Sequence, residues 1–139
     1  MVDRRKFRRS RLKAAGFTLI ELMIVISMIL ILISVAIPIY TQSIARAREA
    51  VLRQNLFTMR SVIDQYSMDK QKAPQSLDDL VQAGYLKQIP TDPMTNSKDT
   101  WQTVQEDVLV SVDQNQPGIT DVHSGSEANG SDGTAYNTW

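Results

Sequence analysis

A single carboxylate, Glu21, lies near the start of a long apolar stretch. Residues 17–40 are almost wholly apolar, and no charged residue occurs from Leu22 to Ile37. A carboxylate in hydrocarbon is costly unless a cation or hydrogen-bond donors compensate it. On the residues alone, pairing with a cation of another molecule, pairing within the chain and a protonated Glu21 near the membrane interface are all open.

The sequence offers little from which an active site can be built. His123 is the only histidine, and there is no cysteine. Serine and aspartate residues are present, but nothing supplies the base of a nucleophilic triad, and no Gly-rich phosphate-binding motif occurs. A lone histidine is more often structural or solvated than catalytic. We therefore predict that the protein is not an enzyme.

The last 17 residues, HSGSEANGSDGTAYNTW, are rich in small and polar residues and are expected to form a loop. Their hard oxygen atoms suit Ca²⁺, which takes roughly six to eight oxygen ligands in irregular geometry. The candidate calcium ligands are Ser124, Ser126, Glu127 and Asp132. A solvated loop without an ion is the alternative. The aromatic residues Tyr136 and Trp139 favour a segment that folds back and packs.

Charge is distributed unevenly along the 139 residues, although 15 basic and 15 acidic residues balance overall. Residues 1–16 carry seven Lys or Arg and one Asp, a net charge of +6, and the remainder carries −6. A basic segment directly before an apolar run is typical of targeting or topology. Without that segment the chain is acidic, which argues against a nucleic-acid partner. We interpret residues 1–16 as a basic leader.

Residues 17–40 are long enough to cross a membrane, because a helix rises about 1.5 Å per residue and about 20 residues span the hydrocarbon core. The run is too long for a secretory signal, and the small residues 14–16 precede it rather than follow it. The excess of basic residues before the run places the N-terminus in the cytoplasm and the remainder outside the inner membrane. Pro38 interrupts the run and is expected to kink the helix.

A helical pattern continues from Thr41 to about Lys70, where Pro74 is expected to stop it. Apolar residues recur at alternating intervals of four and three, which gives one apolar stripe. The stripe consists of Leu52, Leu56, Met59, Ile63 and Tyr66. We expect it to pack on the protein's own globular domain. A heptad seam against another chain is the alternative, and both can hold on different faces.

The rest of the chain predicts a short helix and a small sheet. In SLDDLVQAG, residues 76–84, Ser76 and Asp79 have capping-box spacing, and Gly84 suits a left-handed position after the helix. A proline-punctuated connector follows. Strands are predicted over residues 101–105, 108–112 and 118–122.

The stretch GFTLIELMIVISMILILISVAIPIY resembles the class III signal of type IV pilins and of type II secretion pseudopilins. The resemblance is carried by Gly16-Phe17, Thr18-Leu19, Glu21 four residues after Phe17, and Pro38, with a basic leader before the glycine. The segment SLDDLVQAGYLKQIPTDPMTN is similar to the major pseudopilin of type II secretion systems. The ending DVHSGSEANGSDGTAYNTW is similar to that family's calcium-binding loop, with sparser acidic residues.

The resemblance implies a type IV pilin-like α+β fold, in which a long N-terminal helix packs on a small antiparallel β-sheet with a C-terminal loop. It also implies that a prepilin peptidase cuts between Gly16 and Phe17 and methylates the new amine of Phe17. The mature chain would then have a transmembrane and filament-core helix, residues 17–40. A periplasmic globular domain, residues 41–139, would include the second half of the long helix.

The resemblance further implies assembly into a homopolymer. Glu21 of an arriving subunit would pair with the Phe17 amine of its neighbour, and Pro38 would let the helix partly unwind in the filament core. The implied partners are minor pseudopilins, the prepilin peptidase, an inner-membrane assembly platform and, before assembly, membrane lipid. The resulting periplasmic pseudopilus would drive protein export through the outer membrane. The alternatives are a type IV pilin for adhesion, motility or DNA uptake, and a single-pass periplasmic binding protein that never polymerises.

Overall fold

The computed structural model describes residues 16–106 and 117–139. The described elements are the helices α1 (Leu19–Lys70) and α2 (Leu77–Gln82), the strands β1 (Gln102–Glu106) and β2 (Gly118–His123), and a 3₁₀ helix at Tyr136–Thr138. This long N-terminal helix with a small antiparallel sheet confirms the predicted α+β, pilin-like fold class. The leader over residues 1–15 and the strand predicted over residues 108–112 lie outside the described residues.

The chain divides into two compact units, Met1–Ile39 and Tyr40–Trp139. In the described part of the first unit, every side chain is exposed. Pro38 lies inside α1, which is helical on both sides of it. The helix is therefore not broken at Pro38, and the predicted kink there stays a prediction. A proline removes only one backbone N–H from the ladder of hydrogen bonds, and a long helix tolerates that loss in places.

In the second unit, α1 ends at Lys70, four residues before Pro74. Gln71 has a left-handed backbone with φ of 53°, and its side-chain amide donates to the Met68 carbonyl oxygen at 2.7 Å. The left-handed residue therefore ends the helix before the proline can. Such a position is uncommon for a residue other than glycine, so it could not be predicted from the sequence.

The short helix α2 begins and ends as its sequence predicts. The Asp79 N–H donates to the Ser76 hydroxyl at 3.3 Å, and the Ser76 N–H donates to the Asp79 carboxylate at 3.1 Å. This reciprocal pair is the predicted capping box. Gly84 has φ of +81°, the left-handed conformation that the sequence led us to expect there.

The strands β1 and β2 pair antiparallel, with Gln102 opposite His123 and a register shift between Val104 and Gln105. The prediction for β2 is confirmed, and β1 begins one residue later than expected. Trp101, the residue before it, is buried, and its indole N–H donates to the Pro90 carbonyl oxygen at 2.8 Å. Trp101, the first residue of the predicted strand, thus packs in the core instead of pairing in the sheet.

All five residues of the apolar stripe are buried in one core of the second unit, which confirms that the stripe packs on the protein's own globular domain. Their partners come from α2, the sheet and the C-terminal residues. The other buried members of this core are Leu77, Leu80, Trp101, Ile119, Val122 and Tyr136. The stripe therefore shares its core with α2, β2 and the C-terminal 3₁₀ helix.

Arg60 of α1 joins the helix to the sheet. Its guanidinium donates to the Asp121 carboxylate, to the Val122 carbonyl oxygen at 3.0 Å and to the Trp139 carbonyl oxygen at 2.6 Å. Burial alone would raise the pKa of Asp121. Hydrogen bonds from the Val122 N–H and from Arg60 more than offset it and hold that pKa below its ordinary value.

Substitution of Met59 by alanine tests the core. Met59 has no exposed surface, whereas Met68, on the same helix, is 70% exposed. We expect Met59→Ala to lower the free energy of unfolding by about 2–5 kcal/mol, because it leaves a cavity. Met68→Ala should change it by less than about 0.5 kcal/mol. Chemical denaturation of the full chain in detergent measures both, and equal effects would contradict the assignment of the buried face.

Substitution of Asp121 by asparagine tests the link between helix and sheet. Because the pKa of Asp121 is lowered in the folded state, its stabilising effect is present near neutral pH and is lost as pH falls through that lowered pKa. With Asp121 partly exposed, we expect Asp121→Asn to destabilise by about 1 kcal/mol at neutral pH. Denaturation at several acidic pH values should show this difference shrinking. Asp64→Asn, an exposed site on α1, is the control, and a pH-independent difference at Asp121 would refute the link.

Candidate functional site

The predicted processing site lies just before α1. Gly16, Phe17 and Thr18 are outside any helix or strand, and Phe17 is 82% exposed. An exposed peptide bond in non-helical backbone is open to a peptidase, because proteolysis concentrates where the chain can fit an extended active site. The geometry is thus compatible with cleavage between Gly16 and Phe17, which stays a prediction.

Thr18 caps the N-terminus of α1, which the sequence analysis missed. The Glu21 N–H donates to the Thr18 hydroxyl at 3.2 Å, and the Leu22 N–H donates to the Thr18 carbonyl oxygen at 3.1 Å. The spacing of Thr18 and Glu21 is that of a capping box, a signal available in the sequence. The cap places Glu21 in the first turn, where the helix dipole favours a carboxylate.

Glu21 is exposed, and no ion pair to it is found among residues 16–106 and 117–139. The described part of the uncut chain thus leaves both pairing within the chain and pairing with another molecule open for this carboxylate. The predicted roles of Glu21, Phe17 and Pro38 in assembly stay predictions.

The described part of the chain contains one helix, α1, that is long and apolar enough to cross a membrane. The two serine hydroxyls in its apolar half donate to backbone carbonyl oxygens of the same helix. Ser27 donates to Met23 at 2.7 Å, and Ser34 donates to Ile31 at 2.7 Å. Hydroxyls satisfied in this way need no water, so they can enter hydrocarbon at low cost.

The C-terminal loop, residues 124–139, folds back and packs as predicted. Tyr136 is buried and meets the Trp139 ring edge to face, with ring centroids 5.0 Å apart. A side chain at Gly130 would place its Cβ 2.6 Å from the Trp139 ring, so the close approach of backbone and indole depends on glycine. The loop therefore has a packed interior of its own.

Two buried carboxylates that the sequence analysis missed hold this loop. The first is Asp92, in the connector before β1. It accepts the Ser124 hydroxyl at 2.6 Å, the Gly125 N–H at 3.3 Å and the Met94 N–H at 2.8 Å. Asp92 thus fixes the point at which the chain leaves β2.

The second buried carboxylate is Glu49 of α1, only 3% exposed. It accepts the Ser131 N–H at 2.7 Å, the Ser131 hydroxyl at 2.6 Å and the Tyr136 hydroxyl at 3.0 Å. The Ser131 hydroxyl lowers the pKa of Glu49 below its ordinary value, against the effect of burial, and the Ser131 N–H, Tyr136 and Arg53 act in the same direction. Glu49 is therefore an ionised carboxylate at neutral pH.

Three of the four predicted calcium ligands, Ser124, Ser126 and Asp132, have hydrogen-bond partners within the chain. Ser124 has no exposed surface and donates to Asp92. Asp132 accepts the N–H and the hydroxyl of Thr134, and its other oxygen lies 3.9 Å from the Arg53 guanidinium. Within the described ranges, no group of three or more His, Cys, Asp or Glu residues is arranged to hold a metal ion. These contacts do not fit a calcium site, and calcium binding by Ser124, Ser126, Glu127 and Asp132 stays a prediction.

His123 is tied into the same region. Its Nδ1 lies 2.6 Å from the Trp139 carbonyl oxygen, which can only accept, so Nδ1 carries the proton. Its Nε2 lies 3.4 Å from the Asp121 carboxylate. These contacts join β2 to the end of the described chain.

Residues 11–37 match the family described as the prokaryotic N-terminal methylation motif, a span that includes Gly16, Phe17 and Glu21. No solved structure matches the chain significantly.

Three relatives extend the comparison. Type II secretion system core protein G of Escherichia coli K12 is 30% identical over 100 residues, which cover 60% of this chain and 69% of that protein. Competence protein ComGC of Halalkalibacterium halodurans is 34% identical over 73 residues, 52% of this chain and 72% of that protein. Type IV major fimbrial protein FimA of Dichelobacter nodosus is 45% identical over 58 residues, 42% of this chain but only 36% of that protein.

The methylation motif spans the start of α1, the long helix leads into a small antiparallel sheet, and two relatives are matched over more than two-thirds of their length. The chain therefore belongs to the pilin-like family, the group of pilins and type II secretion pseudopilins.

Proposed function

We propose that the protein is a structural subunit of a type II secretion pseudopilus, and not an enzyme. The observation that carries the proposal is the extent of the similarity to core protein G. An alignment of 100 residues cannot be contained in the methylation motif of residues 11–37, so it includes globular sequence. The match to the fimbrial protein covers 58 residues and about a third of that protein. The globular part thus favours the secretion role.

The proposed cycle begins in the inner membrane, with α1 crossing the bilayer and the globular domain in the periplasm. The exposed apolar half of α1 and its internally bonded serines suit hydrocarbon. A prepilin peptidase removes the +6 leader between Gly16 and Phe17 and methylates the new amine. The cut exchanges a basic segment, which holds the N-terminus in the cytoplasm, for a single cation at Phe17.

Assembly then pairs Glu21 with the Phe17 amine of a neighbouring subunit. In hydrocarbon, each charge lowers the desolvation cost of the other, so the pair fixes both register and the direction of entry into the filament. The apolar half of α1 exchanges lipid contacts for contacts with the same helix in other subunits. An inner-membrane platform and minor pseudopilins would organise this step. The growing filament would move substrates toward the outer membrane.

A competence role is the second candidate, because the match to ComGC covers 72% of that protein. The two roles share processing and assembly and differ in what the filament does. Deletion of the gene in the native host separates them. Loss of protein export in the deletion strain, with a filament confined to the periplasm in the wild type, supports the secretion subunit. Loss of DNA uptake in the deletion strain, or a wild-type filament on the cell surface, supports the alternative.

Intact mass spectrometry tests processing. We expect the chain isolated from membranes to begin at N-methylated Phe17 when a prepilin peptidase is co-expressed, and to retain residues 1–16 when it is absent. Peptide sequencing of the N-terminus locates the cut. A chain that keeps the leader under both conditions would refute the proposed processing and the amine on which assembly depends.

Substitution of Glu21 by glutamine tests assembly. Removal of one partner of a buried ion pair costs about 3–5 kcal/mol, which corresponds to a loss of filament of roughly a hundredfold or more. We expect Glu21→Gln to be inserted and processed normally but to be nearly absent from sheared or affinity-purified filaments. Ser27→Ala on the same helix is the control, since the Ser27 hydroxyl already bonds within the helix. Normal filaments from Glu21→Gln would refute the pairing.

A further inference from the structure

Glu49 extends the apolar stripe of α1 by one step toward the N-terminus. It lies three residues before Leu52, the spacing that places both side chains on one face, and both are buried. The residues on either side, Arg48 and Ala50, are exposed. A carboxylate is thus the one charged member of an otherwise apolar face. Burial of such a group is costly unless its oxygens are fully supplied with donors.

All three hydrogen-bond donors to Glu49 come from the C-terminal loop, 82 and 87 residues away in the chain. The N–H and hydroxyl of Ser131 reach different oxygens of the Glu49 carboxylate, at 2.7 Å and 2.6 Å, and the Tyr136 hydroxyl adds a third bond at 3.0 Å. Two donors from one residue, spread over two oxygens, fix orientation as well as distance. Hydrogen bonds to an ionised group are roughly twice as strong as neutral ones.

Arg53, one turn further along α1, supplies a positive charge to the same loop. Its guanidinium lies 4.2 Å from the centre of the Trp139 ring and 3.9 Å from the Asp132 carboxylate. Both Arg53 and Asp132 are about half exposed, so this contact contributes little by itself. It does place a side-chain cation beside Asp132, one of the predicted calcium ligands, and two cations at one carboxylate repel each other.

The buried side-chain donors and acceptors of the loop are therefore satisfied within this chain. In the described residues, no buried side-chain nitrogen or oxygen lacks a hydrogen-bond partner. From this geometry we propose that Glu49 is the positioning residue of the C-terminal loop, and that its carboxylate, rather than a bound metal ion, holds the loop on α1. The inference concerns the fold of the subunit and holds whether the filament is secretory or not.

Hydrogen exchange of the full chain in detergent, read by mass spectrometry, tests the proposal. Peptides from the C-terminal loop report whether the loop stays bound to Glu49, and peptides from residues 52–66 report the stability of the core. We expect Glu49→Gln to speed exchange in the loop by roughly tenfold or more, because hydrogen bonds to a charged group are lost, while core exchange changes much less. Ser131→Ala keeps the carboxylate and the Ser131 N–H, so it should give a smaller change of the same kind and remain informative if Glu49→Gln fails to fold.

Glu127→Gln is the matched control, because it makes the same chemical change at an exposed carboxylate of the loop that the calcium prediction includes. It should leave exchange unchanged. Wild-type protein should exchange identically in CaCl₂ and in EDTA. Three results would each overturn the proposal: a wild-type loop that loosens in EDTA, a Glu127→Gln loop as fast as that of Glu49→Gln, or a Glu49→Gln loop as slow as wild type. Failure of peptidase processing or filament formation would refute the proposed function and leave these results standing.

Discussion

A carboxylate in apolar surroundings must find donors or a cation, and α1 carries two carboxylates that meet this constraint in different ways. Glu49 finds three donors within its own chain, so its burial is compensated once the second unit folds. Glu21 lies in the first turn of an apolar segment, and the described part of the chain pairs it with no cation. The Glu49 site is complete within one subunit, while a partner for Glu21 in a second subunit stays a proposal.

The same helix also meets two environments. From Leu52 to Tyr66 only one face is buried, and the faces turned away from it carry polar residues. From Leu22 to Ile39 the helix carries no charged residue and is exposed on every side. A helix of the first kind can bury its whole apolar face within one folded domain. A helix of the second kind needs lipid or other helices around it. In a filament core, contacts with other helices would replace the contacts with lipid.

Local rules of sequence predicted most of the fold. The stripe, the capping box of α2 and the turn at Gly84 each depend on residues within a few positions of one another, and the structure confirms them. The buried carboxylates were missed for a different reason. Asp92 is buried by contacts with residues more than thirty positions away, which no local pattern reveals.

Glu49 is an intermediate case. It sits at a stripe position, so extending the periodicity by one step beyond Leu52 would have flagged a charge on the buried face. The donors at Ser131 and Tyr136 could not have been identified, because the fold-back of the loop brings them to the helix. The fold-back also decides which groups lie beside the acidic residues of the loop. Asp132 faces Arg53 and Thr134, partners that composition alone does not supply.

These contacts separate the stability of the subunit from its assembly. Glu49 and Asp92 order the C-terminal loop when the domain folds. The loop has therefore already lost conformational entropy before subunits associate. A pre-organised surface loses less free energy on association than one that must still be ordered. The proposed filament can then draw its free energy of association from the apolar half of α1 and from Glu21. Selection for a tighter filament and selection for a more stable domain would therefore act on different residues of one helix.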